Sequence, residues 1–197
     1  MRLSPAFAFF FAVGLAATGA RAADTLTLAR KLVLYTGGVD AILHNFEGGM
    51  AQKTAAPDVF VQSFLQATID NKAVLDAADE KLAQAYAKIY PADLMTAEIA
   101  FYESPEAQAI MTKSKNTYGA IVWPDPNSPG VSEEQSAALT KFHEIVKRRA
   151  AIAATNMEAT DAILAAETDA LVKIRIAAFA NYCKVRDCKA ENVTVPQ

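Results

Sequence analysis

The chain is short of the residues and patterns from which most enzymes build a site. It has two histidines, two cysteines and one tryptophan, and its eight glycines form neither G-x-x-x-x-G-K-[S/T] nor G-x-G-x-x-G. A P-loop and a dinucleotide fingerprint are thereby excluded, and nothing in the sequence implies a cofactor. A G-x-S-x-G nucleophile elbow is missing too, and with both cysteines better read as a pair, no nucleophile–histidine–carboxylate triad is in view. Basic charge is scarce: 19 Lys and Arg stand against 22 Asp and Glu, a net charge of −3. Nucleic-acid and anionic-lipid surfaces rest on clustered Lys and Arg, so no nucleic-acid partner is expected. The one basic run, Lys147-Arg148-Arg149, has no second cluster and no interleaved aromatics, and reads as a solvated helix face.

Long apolar runs are also wanting. The stretch from Ala6 to Ala17 is twelve residues, short of the roughly 20 that span a bilayer core, and no second run of that length follows. What remains is the pattern of a secretory signal peptide over residues 1–22: a charged start at Arg2, the apolar run, and the small-residue end Ala20-Arg21-Ala22 that fits an A-x-A rule. Cleavage after Ala22 would leave a chain from Ala23 with no transmembrane segment, exported as a soluble protein to a periplasm. The loss of Arg2 and Arg21 with the leader takes the net charge from −3 to −5. One ordinary domain, residues 23–188, with a tail at 189–197, fits this length.

In such a compartment Cys183 and Cys188 read as a disulfide. On continuous helix their Cα atoms would stand about 8.7 Å apart, beyond the roughly 7 Å limit for a bridge. The bridge therefore requires the helix to end between them.

Apolar residues recur at helical spacing along the chain. Leu28, Leu32 and Tyr35 form one stripe, cut by Thr36-Gly37-Gly38; Val39, Ile42, Leu43 and Phe46 form the next, up to Gly48-Gly49. Phe60, Phe64 and Ala67 follow Pro57, and after a turn at Asp70-Asn71 the spacing of Leu75, Ala78, Leu82, Ala85 and Ile89 runs to Pro91. Leu94, Ala97 and Phe101 share a stripe, as do Ala107, Ile110 and Met111. Between those two lies Phe101-Tyr102-Glu103-Ser104-Pro105-Glu106, an inter-helix corner in which Ser104 caps and Pro105 fills the first helical position. Residues 123–131 contain Pro124, Pro126 and Pro129 and form a loop. Ser132 and Gln135 make a capping box, and no Gly or Pro occurs from there to Cys183. Fifty residues of helix would measure about 75 Å, so a break is expected near Thr155-Asn156 or Thr160-Asp161. No period-two alternation appears. The fold class is all-α, a compact bundle of short N-terminal helices packed on one or two longer C-terminal ones.

Ala29-Arg30-Lys31-Leu32-Val33-Leu34-Tyr35-Thr36-Gly37 fits A-R-x-L-x-x-x-T-G, and with Phe101-Tyr102-Glu103-Ser104-Pro105-Glu106-Ala107-Gln108 it resembles the exported bacterial helical family known as domain of unknown function 2059. The resemblance covers residues 28–115 or so and departs at Ala107, where the family usually has glycine. It implies an all-helical envelope protein and brings no catalytic residues with it.

Three constellations carry chemical readings. Asp40, His44 and Glu47 lie at i, i+4 and i+7, one helix face that suits a metal through imidazole and carboxylates, or merely a solvated charged face. His143, among Lys141, Glu144 and Lys147, reads as an exposed helical histidine. Glu98 and Glu103 flank the corner as two carboxylates on adjacent turns, read as ordinary helix surface rather than a hydrolase pair. Phe101 and Tyr102 read as core. Trp123, opening the loop of Pro124 and Pro126, is either tucked onto the bundle or exposed as a binding anchor. The reading that follows is a non-enzymatic periplasmic interaction or envelope-maintenance module with an unidentified protein or envelope partner; the alternative is a metal-binding protein or small metal-dependent enzyme built on Asp40, His44 and Glu47.

Overall fold

The computed structural model describes residues 24–39, 54–113, 123–189 and 191. Among these there are seven helices and no strand: α1 at 24–36, α2 Pro57–Asp70, α3 Lys72–Ile89, α4 Ala92–Glu103, α5 Pro105–Lys113, α6 Glu133–Thr155 and α7 Met157–Val185. The segment read as a signal peptide, residues 1–22, and the helix expected after Val39 lie outside the described residues.

The helix ends follow local chemistry. Helix α1 stops at a pair of glycines in the left-handed region, Gly37 with φ 78° and Gly38 with φ 52°. A Cβ on Gly38 would stand 2.2 Å from Asp79 Oδ1, because that carboxylate reaches in to accept the Val39 N–H at 2.8 Å. Asn71 separates α2 from α3, its side-chain amide donating to the Ala67 carbonyl. The capping box at Ser132 is formed in both directions: Gln135 N–H donates to Ser132 Oγ at 3.2 Å and Ser132 N–H to Gln135 Oε1 at 3.1 Å. The long C-terminal pattern breaks at Asn156, the first of the two expected places; Asn156 Nδ2 donates back to the Ile152 carbonyl, and Thr160-Asp161 lies inside α7.

The short helices pack on the long ones in two groups. Helices α2 and α3 lie on α7, while α4 and α5 lie on α6. Each group encloses a core. One combines Leu32 of α1, Leu82 and Tyr86 of α3, Met95 of α4, Ile110 of α5 and Leu139 of α6. The other joins Val39, Phe60 and Phe64 of α2, Leu75 and Ala78 of α3, and Ile174 and Tyr182 of α7. Burying the Leu, Ile, Val, Phe and Met side chains among these stabilises by about 1.5–3 kcal/mol each. Helix α3 contributes its first half to one core and its second half to the other.

Helix α7 ends at Val185, between the two cysteines, and Cys183 and Cys188 are joined with their Cα atoms 5.4 Å apart. The bridge turns the chain back so that Glu191 accepts from the Tyr182 hydroxyl at 2.5 Å and from Arg186 Nε at 2.7 Å. Within the segment read as a flexible tail, Glu191 is thus tied to a fully buried tyrosine. Among the described residues no helix is long and apolar enough to cross a membrane.

Candidate functional site

The corner between α4 and α5 is built as the sequence implies. Ser104 Oγ accepts the Ala107 N–H at 3.1 Å, and Gln108 Nε2 donates to the Tyr102 carbonyl at 2.7 Å. Phe101 and Tyr102 are core residues, 7% and 5% exposed. The Phe101 ring stacks on Phe142 of α6 with centroids 4.1 Å apart and planes 9° apart. Tyr102 stacks on Tyr35 of α1, whose hydroxyl donates to Glu103 at 2.6 Å. Lys31 completes this surface group at 2.7 Å from the same carboxylate, and the two donors hold Glu103 below its ordinary carboxylate range.

Trp123 is half-buried and closes the aromatic cluster, 5.1 Å from Phe101 and 5.3 Å from Phe142 between ring centroids. Of the two placements open to it, this is the tucked one. Pro124 is half-buried beside it. Pro126 faces a shallow depression of about 440 Å³ shared with Asp125, Thr140 and His143, and His143 is half-buried there rather than exposed.

Behind the corner the sequence reading needs two corrections. Glu98 is fully buried, and Arg149 Nη1 donates to its Oε1 at 2.6 Å. Neither Glu98 nor Arg149 belongs to an ordinary helix surface. Arg149 also lies 5.2 Å from the Tyr86 ring centroid and 5.1 Å from that of Tyr90, and donates to the Tyr86 hydroxyl. The basic run is therefore split three ways, since successive helical side chains point about 100° apart: Arg149 turns inward, Arg148 pairs with Asp93 at 3.0 Å, and Lys147 pairs with Glu144 at 2.6 Å. Glu98 and Glu103, five residues apart, emerge on different faces of α4 and do not form a pair.

Burial pushes the Glu98 carboxyl above its ordinary range, with Arg149 opposing the shift. Burial would equally lower the guanidinium, but Tyr86, Glu98 and Tyr90 hold it above its ordinary value. Glu98 Oε2 is buried with no hydrogen-bond partner among the described residues. Sequence carried a signal for both residues: Glu98 sits four residues from Leu94 and from Tyr102, and Arg149 lies on the stripe of Phe142, Ile145 and Ile152.

The outer side of the same helix pair is inverted in character. Where α4 buries a glutamate, it exposes Ala97 and Ala100, so the expected stripe of Leu94, Ala97 and Phe101 is buried only at its ends. Ala97 and Ala100 face Ala137, Ala138 and Ile145 of α6 across a trough of about 640 Å³ floored by Phe101 and ending at Ser104, Glu106 and Glu134. Small side chains on both walls leave this space open. Sequence reasoning did not find it, because the trough exists only once α4 and α6 are side by side.

Asp40, His44 and Glu47 lie outside the described residues. Among the described residues no group of three or more His, Cys, Asp or Glu is placed to hold a metal ion.

Comparison of the chain with protein-family models, with curated proteins and with solved structures gives no match in any of the three. The residues of the family resemblance nonetheless have clear tasks: Ala29 and Leu32 are fully buried, Arg30 pairs with Glu80 through two hydrogen bonds at 2.8 and 2.9 Å, and Thr36 Oγ1 donates to the Val33 carbonyl.

Proposed function

We propose that this protein is an exported, non-enzymatic interaction module of a bacterial periplasm, similar to the helical family known as domain of unknown function 2059, and that it holds a partner protein in the trough between α4 and α6. The observation that carries this reading is the trough itself: an open apolar channel walled by exposed Ala97, Ala100 and Ala137 on two helices that are otherwise fixed by the Phe101–Phe142 stack and the Glu98–Arg149 pair. A rigid frame around an unfilled apolar channel suits binding, because little ordering is required of the module when the partner arrives. Trp123 takes part by bracing Phe101, the floor of the trough, from the loop that also carries Pro124 and Pro126. The disulfide is compatible with an oxidising compartment.

The test is a photo-crosslinking amino acid placed at Ala100 in cells, with Thr112 on the exposed side of α5 as control. A partner adduct at Ala100 that is missing at Thr112, and is lost when Ala137→Trp fills the trough, supports the reading; adducts indifferent to Ala137→Trp overturn it. N-terminal sequencing of the mature pool is expected to start at Ala23, and full-length chain in that pool overturns export. Metal analysis of the purified protein beside His44→Ala decides the reading that rests on Asp40, His44 and Glu47: stoichiometric metal lost in the variant would replace an interaction module with a metal protein.

A further inference from the structure

Resting on the trough reading above, we infer that the occupant is one amphipathic helix of a partner protein, with small apolar residues along one face and Lys or Arg at one end. Three features of the trough lead there. Its walls are two helices lying side by side in opposite directions, as the pairings Phe101–Phe142, Glu98–Arg149 and Asp93–Arg148 establish. A third helix seats naturally along such a groove, and alanines let helix axes approach within the lower part of the 8–10 Å range. The lining runs along α6 from Glu134 to Ile145, about 16 Å of helix or three turns, the length of an ordinary helix-in-groove contact.

The third feature is charge, which decides the polarity of the guest. Because the walls run in opposite directions, Glu106 in the first turn of α5 and Glu134 in the first turn of α6 meet at the same end of the trough. Neither carboxylate has a cationic partner among the described residues; Glu134 accepts from its own backbone N–H and from the Ser132 hydroxyl, both uncharged donors. At the opposite end Glu144 is already neutralised by Lys147, and Lys141 stands between. One end of an apolar channel thus presents two carboxylates without a cationic partner among the described residues, which favours a guest that brings positive charge to that end and discriminates against one that brings negative charge.

The probe is a fluorescently labelled 15-residue amphipathic peptide with alanine and leucine along one face and two lysines at one end, compared with a twin carrying two glutamates there. Fluorescence anisotropy is expected to show the lysine peptide binding about tenfold more tightly at low salt, a margin that shrinks as salt rises. The paired change Glu106→Lys with Glu134→Lys should invert the preference, and Ala100→Trp should abolish binding of both peptides. Ala97→Gln serves as a second blocking variant should Ala100→Trp lose helicity by circular dichroism. Equal binding of the two peptides, still lost on Ala100→Trp, overturns the basic-ended guest and leaves the trough reading standing. If neither peptide binds, or if binding survives both blocking variants, the trough reading falls with it. Displacement of the peptide by a dansylated fatty acid alone would make the occupant a small apolar molecule. Concentration-dependent dimerisation that Ala100→Trp removes would make it a second copy of the chain. Either result overturns the inference.

Discussion

Arg149 of α6 meets Glu98 of α4 across 51 positions of sequence, at 2.6 Å, where the glutamate has no exposed surface. This is the one ion pair among the described residues whose two side chains are both largely out of water. Its half-satisfied carboxylate sits between helices that otherwise join through apolar contacts and the exposed Asp93–Arg148 pair. Breaking one side of such a pair is far more costly than replacing both sides, because the surviving charge is stranded.

Glu98→Ala and Arg149→Ala are each expected to lower the free energy of unfolding by roughly 3–5 kcal/mol. Glu98→Leu combined with Arg149→Met should recover most of that loss, since Oε2 of Glu98 gains nothing from the pair. Urea melts of the three variants check this. Single changes that cost under about 1 kcal/mol, or a double variant no better than either, would contradict the stranded-charge account.

Gly38 allows a different test. Alanine there must hold a left-handed backbone and push its Cβ into Asp79 Oδ1, so Gly38→Ala is expected to destabilise by at least about 1–2 kcal/mol. Adding Asp79→Ala removes the steric part but also the acceptor of the Val39 N–H, so the double variant should stay below wild type. Thermal melts read both. A neutral Gly38→Ala would mean that the turn rearranges freely.

Removal of the bridge by Cys183→Ala with Cys188→Ala is expected to cost about 2 kcal/mol, the chain-entropy value for so short a loop. The effect should include faster amide exchange around Tyr182, because Glu191 loses the turn that delivers it. An effect on stability with no change at Tyr182 would separate the bridge from the Glu191 contact.

The pH dependence has a predictable acid limb. Hydrogen bonds from Arg30 and Gln84 hold the Glu80 carboxyl at about 2, against an ordinary value of 4.5. A carboxylate depressed in the folded state contributes stability that is present above 4.5 and is lost as the pH falls toward about 2. Carbon-detected NMR titration should place the Glu80 midpoint near 2, and Arg30→Gln should move it up toward the ordinary value while flattening this acid limb. A midpoint unmoved by Arg30→Gln would show that Arg30 is not the cause.

Much of this fold is written locally, and that part is readable. Ser132 with Gln135, Ser104 with Pro105, and the glycines after Thr36 each act within a few residues, so helix ends fall where chain chemistry puts them. The end of α7 between Cys183 and Cys188 was readable once the two were taken as a bridge, since continuous helix would hold them too far apart. The Glu98–Arg149 pair was readable in principle: both residues occupy apolar stripes at helical spacing, but a charge on a stripe tempts one to redraw the stripe. The trough was not readable. Ala97 and Ala137 acquire meaning only through the register of α4 against α6, which the Phe101–Phe142 stack sets and which no local pattern encodes. Trp123 stood between: its residue type suits either placement, and only the position of Phe142 decides it.

Because α3 is shared end to end by both cores, neither half of the molecule has a complete interior of its own. Loss of the α2–α7 side strips Leu75 and Ala78 of their neighbours and frays the helix that carries Leu82 and Tyr86. The two halves are therefore expected to melt as a single cooperative unit, with the backbone amides at the middle of α3 exchanging only through global unfolding, which native-state hydrogen exchange checks.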